Sequence, residues 1–194
     1  MFDRIDLEST SVKDRFLIID DTNLAKTGRK IENVSFVFDH NLNRNILGFC
    51  IVTVGLFVPS GFYPIDFSYR FGKKRHPKSP DEKIGDPRSS SGKRSCEAKR
   101  RNKLELALEM VERTVGNGVK VGYVLFDSWY AWPTFINAIR KIDDAMHVIC
   151  RLKNGNVKYE YNGSRYTLSE LYQKVKKNFR KNSKTGLRLC RVKV

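Results

Sequence analysis

The sequence predicts a mixed α/β fold, in which helices pack on a sheet with both parallel and antiparallel strands. Two apolar runs late in the chain, one before Asp127 and one at 147–153, alternate with helical segments, which favours parallel pairing. Two earlier runs, 47–58 and 62–71, flank a Pro-Ser-Gly turn and predict an antiparallel hairpin. The 194 residues are 40% hydrophobic, which is enough for a substantial core.

The first predicted strand covers residues 16–22, and its apolar start meets two adjacent acids, Asp20 and Asp21. Charged side chains avoid burial unless they are paired or bind a metal ion. The strand before Asp127 also ends in an acid. Sites in open α/β sheets form at the carboxyl ends of strands, so we expect these acids at one edge of the sheet.

Two carboxylates at such an edge repel each other unless a cation lies between them. Mg²⁺ (or Mn²⁺) suits this position, because it prefers oxygen ligands and often binds one or two carboxylates plus a substrate phosphate. Adjacent strand residues point to opposite faces, so Asp20 and Asp21 are not expected to share one metal ion. The alternative is structural: Asp127 as a helix cap, and Asp20 or Asp21 in an Asx-turn.

The middle of the chain predicts a loop followed by two helices. Residues 72–95 are rich in Pro, Gly, Ser, Lys and Arg and have almost no apolar residue, which indicates a mobile loop. Apolar spacings of three and four predict a helix at about residues 96–115, ended by Gly-Asn-Gly. Trp132-Pro133 is expected to open the second helix.

The end of the chain has a different pattern. Two Asn-Gly turns between aromatic and β-branched residues predict a hairpin after residue 153. Thr167 and Glu170 form a capping-box pattern that predicts a short helix. The last residues, 187–194, resemble a strand that runs off the end, so we expect a C-terminally truncated sequence.

The formal net charge of +16, from 37 Lys and Arg against 21 Asp and Glu, predicts attraction to polyanions. Nucleic acid is the first candidate and an anionic membrane surface the second. No apolar run is long enough to span a membrane, and the N-terminus lacks a signal-peptide pattern. The four scattered cysteines form no Cys-x-x-Cys pair, which favours reduced thiols in a cytoplasmic protein.

Basic residues are clustered, which favours contacts to nucleic-acid phosphates. The segment from Lys73 to Lys103 has twelve Lys or Arg and four acids, and Leu171 to Val194 has nine and none. Trp129 is a candidate for stacking on a flipped base, although packing between a helix and the sheet is the more common role. The candidate phosphate contacts are Lys73, Lys74, Arg75, Lys93, Arg94, Lys99, Arg100 and Arg101. The alternative is a solvated loop that only maintains solubility.

Two segments resemble insertion-sequence DDE transposases. Residues 16–58, with Ile-Asp-Asp-Thr, resemble the first catalytic segment, and residues 122–136, with Leu-Phe-Asp-Ser-Trp, resemble the second. The resemblance implies a ribonuclease-H-like mixed sheet flanked by helices, where two Asp and one Glu hold divalent metal ions. It divides the chain into an incomplete catalytic core, residues 1–153, and the start of a β-rich insertion, residues 154–194.

The resemblance also assigns site residues. The family pattern Asp-x-Thr selects Asp20 over Asp21 as the first catalytic acid, and Asp127 corresponds to the second. Asp20 and Asp127 are therefore the expected metal ligands, with Asp21 as the less favoured catalytic candidate. No catalytic Glu is assigned, because Glu160 lies in a predicted hairpin and Glu170 in a capping box.

The leading hypothesis is a fragment of a DDE transposase that cleaves DNA and transfers strands by metal-dependent phosphoryl transfer. Its expected partners are the element's terminal repeats and target DNA, with a homodimer in the DNA complex, near the nucleoid in a prokaryotic cytoplasm. Without a third acid, we expect weak or no catalysis from this chain alone. The alternatives are a non-enzymatic nucleic-acid-binding module, or a complete ribonuclease-H-like nuclease whose further acid is Glu97, Glu105 or Asp66.

Overall fold

A computed structural model of the chain describes residues 7–72, 74–78, 86–186 and 188–189. The chain divides into two compact units, Met1–Cys150 and Arg151–Val194. The first unit contains a seven-stranded sheet and three α-helices. In the described part of the chain, no helix is both long and apolar enough to span a bilayer.

The first unit begins with strands and continues with alternating helices and strands. Its strands are β1 (Phe16–Ala25), β2 (Ser35–Asp39), β3 (Arg44–Val58), β4 (Gly61–Arg70), β5 (Lys74–Arg75), β6 (Tyr123–Phe126) and β7 (His147–Cys150). Its helices are α1 (Ser90–Arg100), α2 (Lys103–Gly116) and α3 (Pro133–Ile142).

The sheet is mixed, as the sequence predicts. Its strand order is β5-β2-β3-β1-β6-β7, and β4 also pairs with β3. β3 and β4 form the predicted antiparallel hairpin, whereas β1, β6 and β7 are parallel neighbours. Since β1 pairs with β3 on one side and β6 on the other, it lies where the antiparallel and parallel parts meet.

The core lies between one face of the sheet and two helices. Leu17 and Ile19 of β1 are buried there with Met110 of α2 and Ile139 of α3. On the strands, buried and more exposed residues alternate, which is the pattern of a sheet covered on one face. The opposite face exposes large apolar side chains, including Phe57, Phe62, Phe67 and Ile149.

The first strand is longer than predicted. β1 continues to Ala25, so Asp20 and Asp21 lie inside the strand and not in an Asx-turn. The strand continues because β3 pairs with it as far as Ala25, whereas its parallel partner β6 ends at Phe126. The short strands β2 and β5 were not predicted from the sequence.

The single predicted helix at 96–115 is wrong, because two helices occupy this region. Ser89 caps α1, so the helix begins inside the predicted loop. Asn102 interrupts the helix and starts α2 in a capping box with Glu105. Residues 73 and 79–85 of the predicted loop lie outside the described residues.

The second unit contains the predicted hairpin and helix. Strands β8 (Lys158–Tyr161) and β9 (Ser164–Thr167) pair antiparallel, and α4 (Leu168–Val175) follows directly. Thr167 and Glu170 form the expected capping box. Two short strands, β10 (Arg180–Lys181) and β11 (Arg188–Leu189), also pair, while residues 187 and 190–194 of the predicted last strand lie outside the described residues.

Candidate active site at the edge of the sheet

Asp20 and Asp127 occupy neighbouring positions on two adjacent parallel strands. The last paired residues of β1 and β6 are Ile19 and Phe126. Asp20 and Asp127 come directly after them, and both residues are exposed. Because adjacent strands are about 4.8 Å apart, the two acids lie side by side where β6 ends.

Alternation along β1 places Asp20 and Asp21 on opposite faces of the sheet. Ile19 and Phe126 are buried against the helices, and successive strand residues alternate between faces. Asp20 therefore points away from the helices, and Asp127 lies one residue past the end of β6. Asp21 points to the helix-covered face, so the two neighbouring acids of β1 have different surroundings.

Asp20 and Asp127 each accept a local hydrogen bond but have no positively charged partner. The Asp21 N–H donates to Asp20 Oδ1 at 2.8 Å, and the Trp129 N–H donates to Asp127 Oδ1 at 2.9 Å. Within the described residues, neither acid forms an ion pair. Two such carboxylates repel each other, and an oxygen-preferring cation relieves that repulsion.

The expected alternative that Asp127 caps the following helix is wrong. Trp132 is the N-cap of α3 and Pro133 its first residue, as Trp132-Pro133 predicts. Asp127 instead closes a turn through the N–H of Trp129. This turn holds one carboxylate oxygen and leaves the other available.

Asp21 is at the centre of a polar cluster on the helix-covered face. The Lys103 ammonium lies 2.8 Å from Asp21 Oδ2, and the Tyr130 hydroxyl donates to Asp21 Oδ1 at 3.0 Å. The Cys50 thiol contacts Asp21 Oδ2 at 3.6 Å. These contacts connect β1 to β3, to the start of α2 and to the segment that follows Asp127. We call this group of four residues the Asp21 cluster.

Both neutral donors of the Asp21 cluster keep their protons at ordinary pH. Burial, followed by the charge of the nearby Asp21 carboxylate, raises the pKa of Cys50 to about 11. Burial, followed by the charge of Asp21, also raises the pKa of Tyr130, whose side chain is fully enclosed. Protonated donors and the Lys103 ammonium therefore satisfy the Asp21 carboxylate from three directions.

The three further acids suggested by the sequence have structural contacts. Asp66 and Glu97 both pair with Arg113, at 3.0 and 3.3 Å. Glu105 accepts the Asn102 N–H in the α2 capping box. Among the described residues, no three His, Cys, Asp or Glu side chains are grouped closely enough to hold a metal ion.

The family comparison agrees with this geometry. A model described as DDE superfamily endonuclease matches residues 2–165, which include Asp20, Asp21 and Asp127. The chain belongs to this family. Comparisons with curated proteins and with solved structures found no significant match. The mixed sheet and its packed helices agree with the ribonuclease-H-like fold predicted for a DDE domain, and endonucleases of this superfamily generally use divalent metal ions.

Several predicted phosphate contacts of the DDE domain lie on α1. Lys93, Lys99 and Arg100 are exposed on this helix. The backbone of Lys74–Arg75 forms β5, whereas Lys73 lies outside the described residues. A helix with exposed basic side chains therefore lies next to the sheet.

Two of the predicted phosphate contacts already have acidic partners. The Arg94 guanidinium lies 2.9 Å from Asp66 Oδ1, and Arg101 lies 2.7 Å from Glu109. These ion pairs neutralise part of the positive charge that the sequence attributes to the segment. These ion pairs cannot be predicted from the basic segment alone, because the acidic partners lie on β4 and further along α2.

Trp129 contacts both the core and a basic side chain. The Lys103 ammonium lies 4.1 Å from the centre of the Trp129 ring, within the range of a cation–π interaction. The Trp129 ring also meets Tyr130 edge to face, with centroids 5.1 Å apart. The residue packs a loop onto the core and is also half-exposed to a neighbouring cavity.

Proposed function

We propose that this DDE domain uses Asp20 and Asp127 to bind a divalent metal ion, Mg²⁺ or Mn²⁺, for cleavage and transfer of DNA strands. The observation that supports this most is the parallel register of β1 and β6, which makes the two acids neighbours. Family membership supplies the class of reaction, since the matching model describes endonucleases.

The residues present suit such an ion. Asp20 and Asp127 are exposed carboxylates, and each uses one oxygen in a local hydrogen bond while the other has no bond in the described parts of the structure. Mg²⁺ and Mn²⁺ prefer oxygen ligands of this kind. When bound, the ion lowers the pKa of an attacking water or hydroxyl and neutralises charge on the phosphate.

The remaining residues of the site orient the two acids. We assign Asp21 to this positioning role instead of metal binding, because it pairs with Lys103 on the other face of the sheet. Tyr130 connects Asp21 to the segment that carries Asp127. Exposed Lys93, Lys99 and Arg100 are the proposed contacts to the DNA backbone.

The finer parts of the proposal follow the resemblance to insertion-sequence transposases. The DNA substrates are the terminal repeats of the element and its target, with a homodimer in the DNA complex at the prokaryotic nucleoid. Residues 1–153 form the catalytic core, and residues 154–194 begin a β-rich insertion. These assignments go beyond the matched family description, which names the superfamily.

An Asp127→Asn substitution tests metal binding. We expect Mn²⁺ affinity, measured by titration with electron paramagnetic resonance, to fall at least tenfold, because the variant removes one charged ligand. Asp143→Asn is the matched control. Like Asp127, Asp143 accepts a hydrogen bond from the N–H two residues later, here that of Ala145, but it lies after α3. Circular dichroism checks that both variants are folded.

The opposite result favours a different function. If Asp127→Asn and Asp143→Asn change thermal stability alike and leave Mn²⁺ affinity unchanged, Asp127 is a structural turn residue. The observation that favours this alternative is the hydrogen bond from the Trp129 N–H to Asp127. The chain would then be a basic nucleic-acid-binding module without metal chemistry.

A further inference from the structure

Two cavities of the first unit meet at Arg70. The first has a volume of about 710 Å³, and the Asp21 cluster and Trp129 form part of its wall. The second has a volume of about 540 Å³ and lies beside the junction of α1 and α2, where Asn102 is found. Arg70 and Gly72 line both cavities, so the two are adjacent, and together we call them the Arg70 groove.

Arg70 lies two cross-strand rows away from Asp21, on the same face of the sheet. Arg70 is the last residue of β4 and pairs with Cys50, which pairs in turn with Asn23. Asp21 belongs to the next row but one, because its partner on β3 is Val52. The groove therefore begins beside the positioning cluster of the proposed active site.

The Arg70 guanidinium has no counter-ion. Arg70 is half-buried, yet across the described residues its side chain forms no ion pair or hydrogen bond. A guanidinium has five N–H donors in a planar arrangement that matches phosphate oxygens. An Arg side chain that is half-buried and unpaired inside a groove is therefore suited to an anion.

The groove has an excess of positive charge. Arg100 lines the second cavity beside Arg70, and the described lining of this cavity contains no acid; Arg101 also lines it but already pairs with Glu109. In the first cavity, the acid that lines the wall is Asp21, and Lys103 already neutralises it. A low-dielectric cavity with this balance of charge attracts an anionic ligand.

The first cavity also has aromatic walls. Phe36, Phe38, His40 and Trp129 line it. Phe38 is 45% exposed, and its ring meets His40 edge to face at 5.0 Å. Exposed aromatic faces beside cationic groups are typical of sites that stack nucleobases and bind the connecting phosphates.

We propose that the Arg70 groove binds a single strand of DNA, with bases in the first cavity and a backbone phosphate on Arg70 in the second. This inference rests on the proposed function, since it places the strand beside the cluster that positions Asp20 and Asp127. A single strand is favoured over a duplex, because bases stacked inside a duplex cannot present their faces to the aromatic walls. Arg70 is thus a DNA contact that lies outside the basic clusters of the sequence.

The test compares Arg70→Gln with Arg140→Gln in the full chain. Arg140 is an exposed residue of α3 that lines neither cavity. Fluorescence anisotropy measures binding to a single-stranded oligodeoxythymidine and to a duplex of the same length over a range of salt concentrations. For the single strand, we expect Arg70→Gln to reduce affinity several-fold and to lower the slope of log K against log salt by about 0.7, whereas Arg140→Gln leaves both unchanged.

Two results would overturn the inference. Equal behaviour of Arg70→Gln and Arg140→Gln would remove Arg70 from the binding site, and an equal loss for the duplex would remove the single-strand assignment. Arg100→Gln provides a second variant in case Arg70→Gln does not fold, because Arg100 lines the second cavity from the exposed surface of α1. It should also weaken single-strand binding, and an unchanged affinity would count against the groove.

Metal binding separates this inference from the proposed function. Arg70→Gln should retain the Mn²⁺ affinity of the unmodified chain, because Arg70 is on β4 and its side chain contacts neither Asp20 nor Asp127. If Asp127→Asn loses Mn²⁺ while Arg70→Gln binds DNA normally, the groove is wrong and the function stands. If instead Asp127→Asn retains Mn²⁺ affinity while Arg70→Gln loses single-strand affinity, the groove assignment is supported and the metal-site assignment is wrong.

Discussion

Asp20 and Asp21 are adjacent in sequence, but the sheet places their side chains on opposite faces. Asp20 is exposed next to Asp127, without a cation among the described residues, whereas Asp21 receives Lys103 and Tyr130 on the helix side. Strand alternation alone explains the separation. A metal ion stabilises a carboxylate less when that carboxylate is already paired with an ammonium group. Asp20 is therefore the stronger candidate ligand.

Removal of the Tyr130 hydroxyl tests the positioning role of the Asp21 cluster. Tyr130→Phe takes away a buried donor to a carboxylate, so we expect the free energy of unfolding in urea to fall by about 2 kcal/mol. Mn²⁺ affinity should also fall, although Tyr130 is not a ligand, because the segment carrying Asp127 loses its attachment to β1.

Tyr123→Phe is the matched control for this variant. Tyr123 belongs to β6 and stacks on Phe16 at a centroid distance of 5.2 Å, and in the described structure its hydroxyl forms no hydrogen bond. Tyr123→Phe should change neither the free energy of unfolding nor the Mn²⁺ affinity. If Tyr130→Phe is less stable but binds Mn²⁺ normally, the cluster supports the fold without positioning the site.

At the scale of elements, one buried acid holds the basic helix α1 against the sheet. Asp66 of β4 is only 8% exposed and pairs with Arg94 of α1 and Arg113 of α2. Arg113 also pairs with Glu97 of α1. The network fixes α1, whose exposed Lys93, Lys99 and Arg100 are the proposed DNA contacts. Some charges of α1 therefore stabilise the fold, while others are proposed to bind DNA.

Asp66→Asn should loosen α1. We expect the free energy of unfolding to fall by about 2 kcal/mol. Breaking a fully buried ion pair costs about 3–5 kcal/mol, and the loss is smaller here because Arg94 and Arg113 are partly solvated. Hydrogen exchange should accelerate in α1, and urea denaturation gives the stability. Asp86→Asn is the control, since Asp86 pairs with Arg88 in an exposed position, and equal effects of the two variants would contradict this role.

The elements that sequence patterns predict well are those set by local rules. The β3–β4 hairpin, the Pro133 helix start and the Thr167 capping box all follow from residues close together in the chain. Asn102 and Glu105 form the same kind of local signal, and this capping box marks the break between α1 and α2. β2 is harder to predict, because its five residues are stabilised by pairing with β3 and β5.

At the scale of the whole molecule, strand order determines how much of the site can be predicted. Placing Asp20 and Asp127 at one sheet edge needs only two apolar runs and the rule that sites form at carboxyl ends of strands. The Asp21 cluster could not be predicted in this way, because Lys103 and Tyr130 are 82 and 109 residues from Asp21 in sequence. Arg70 could not be predicted as a DNA contact from the sequence, because its place in the lining of the two cavities depends on the tertiary structure.

The first unit should fold and bind metal without the second. Its core cluster and the residues packed against it all lie between Leu7 and Cys150, and the proposed ligands Asp20 and Asp127 lie in the same span. A chain ending at Cys150 should therefore melt cooperatively by circular dichroism and retain the Mn²⁺ affinity of the full chain, with Asp127→Asn in the shortened chain as the negative control. A shortened chain without a melting transition would show that residues 151–194 are needed for the fold. A cooperative transition with lost Mn²⁺ binding would instead show that the second unit contributes to the metal site.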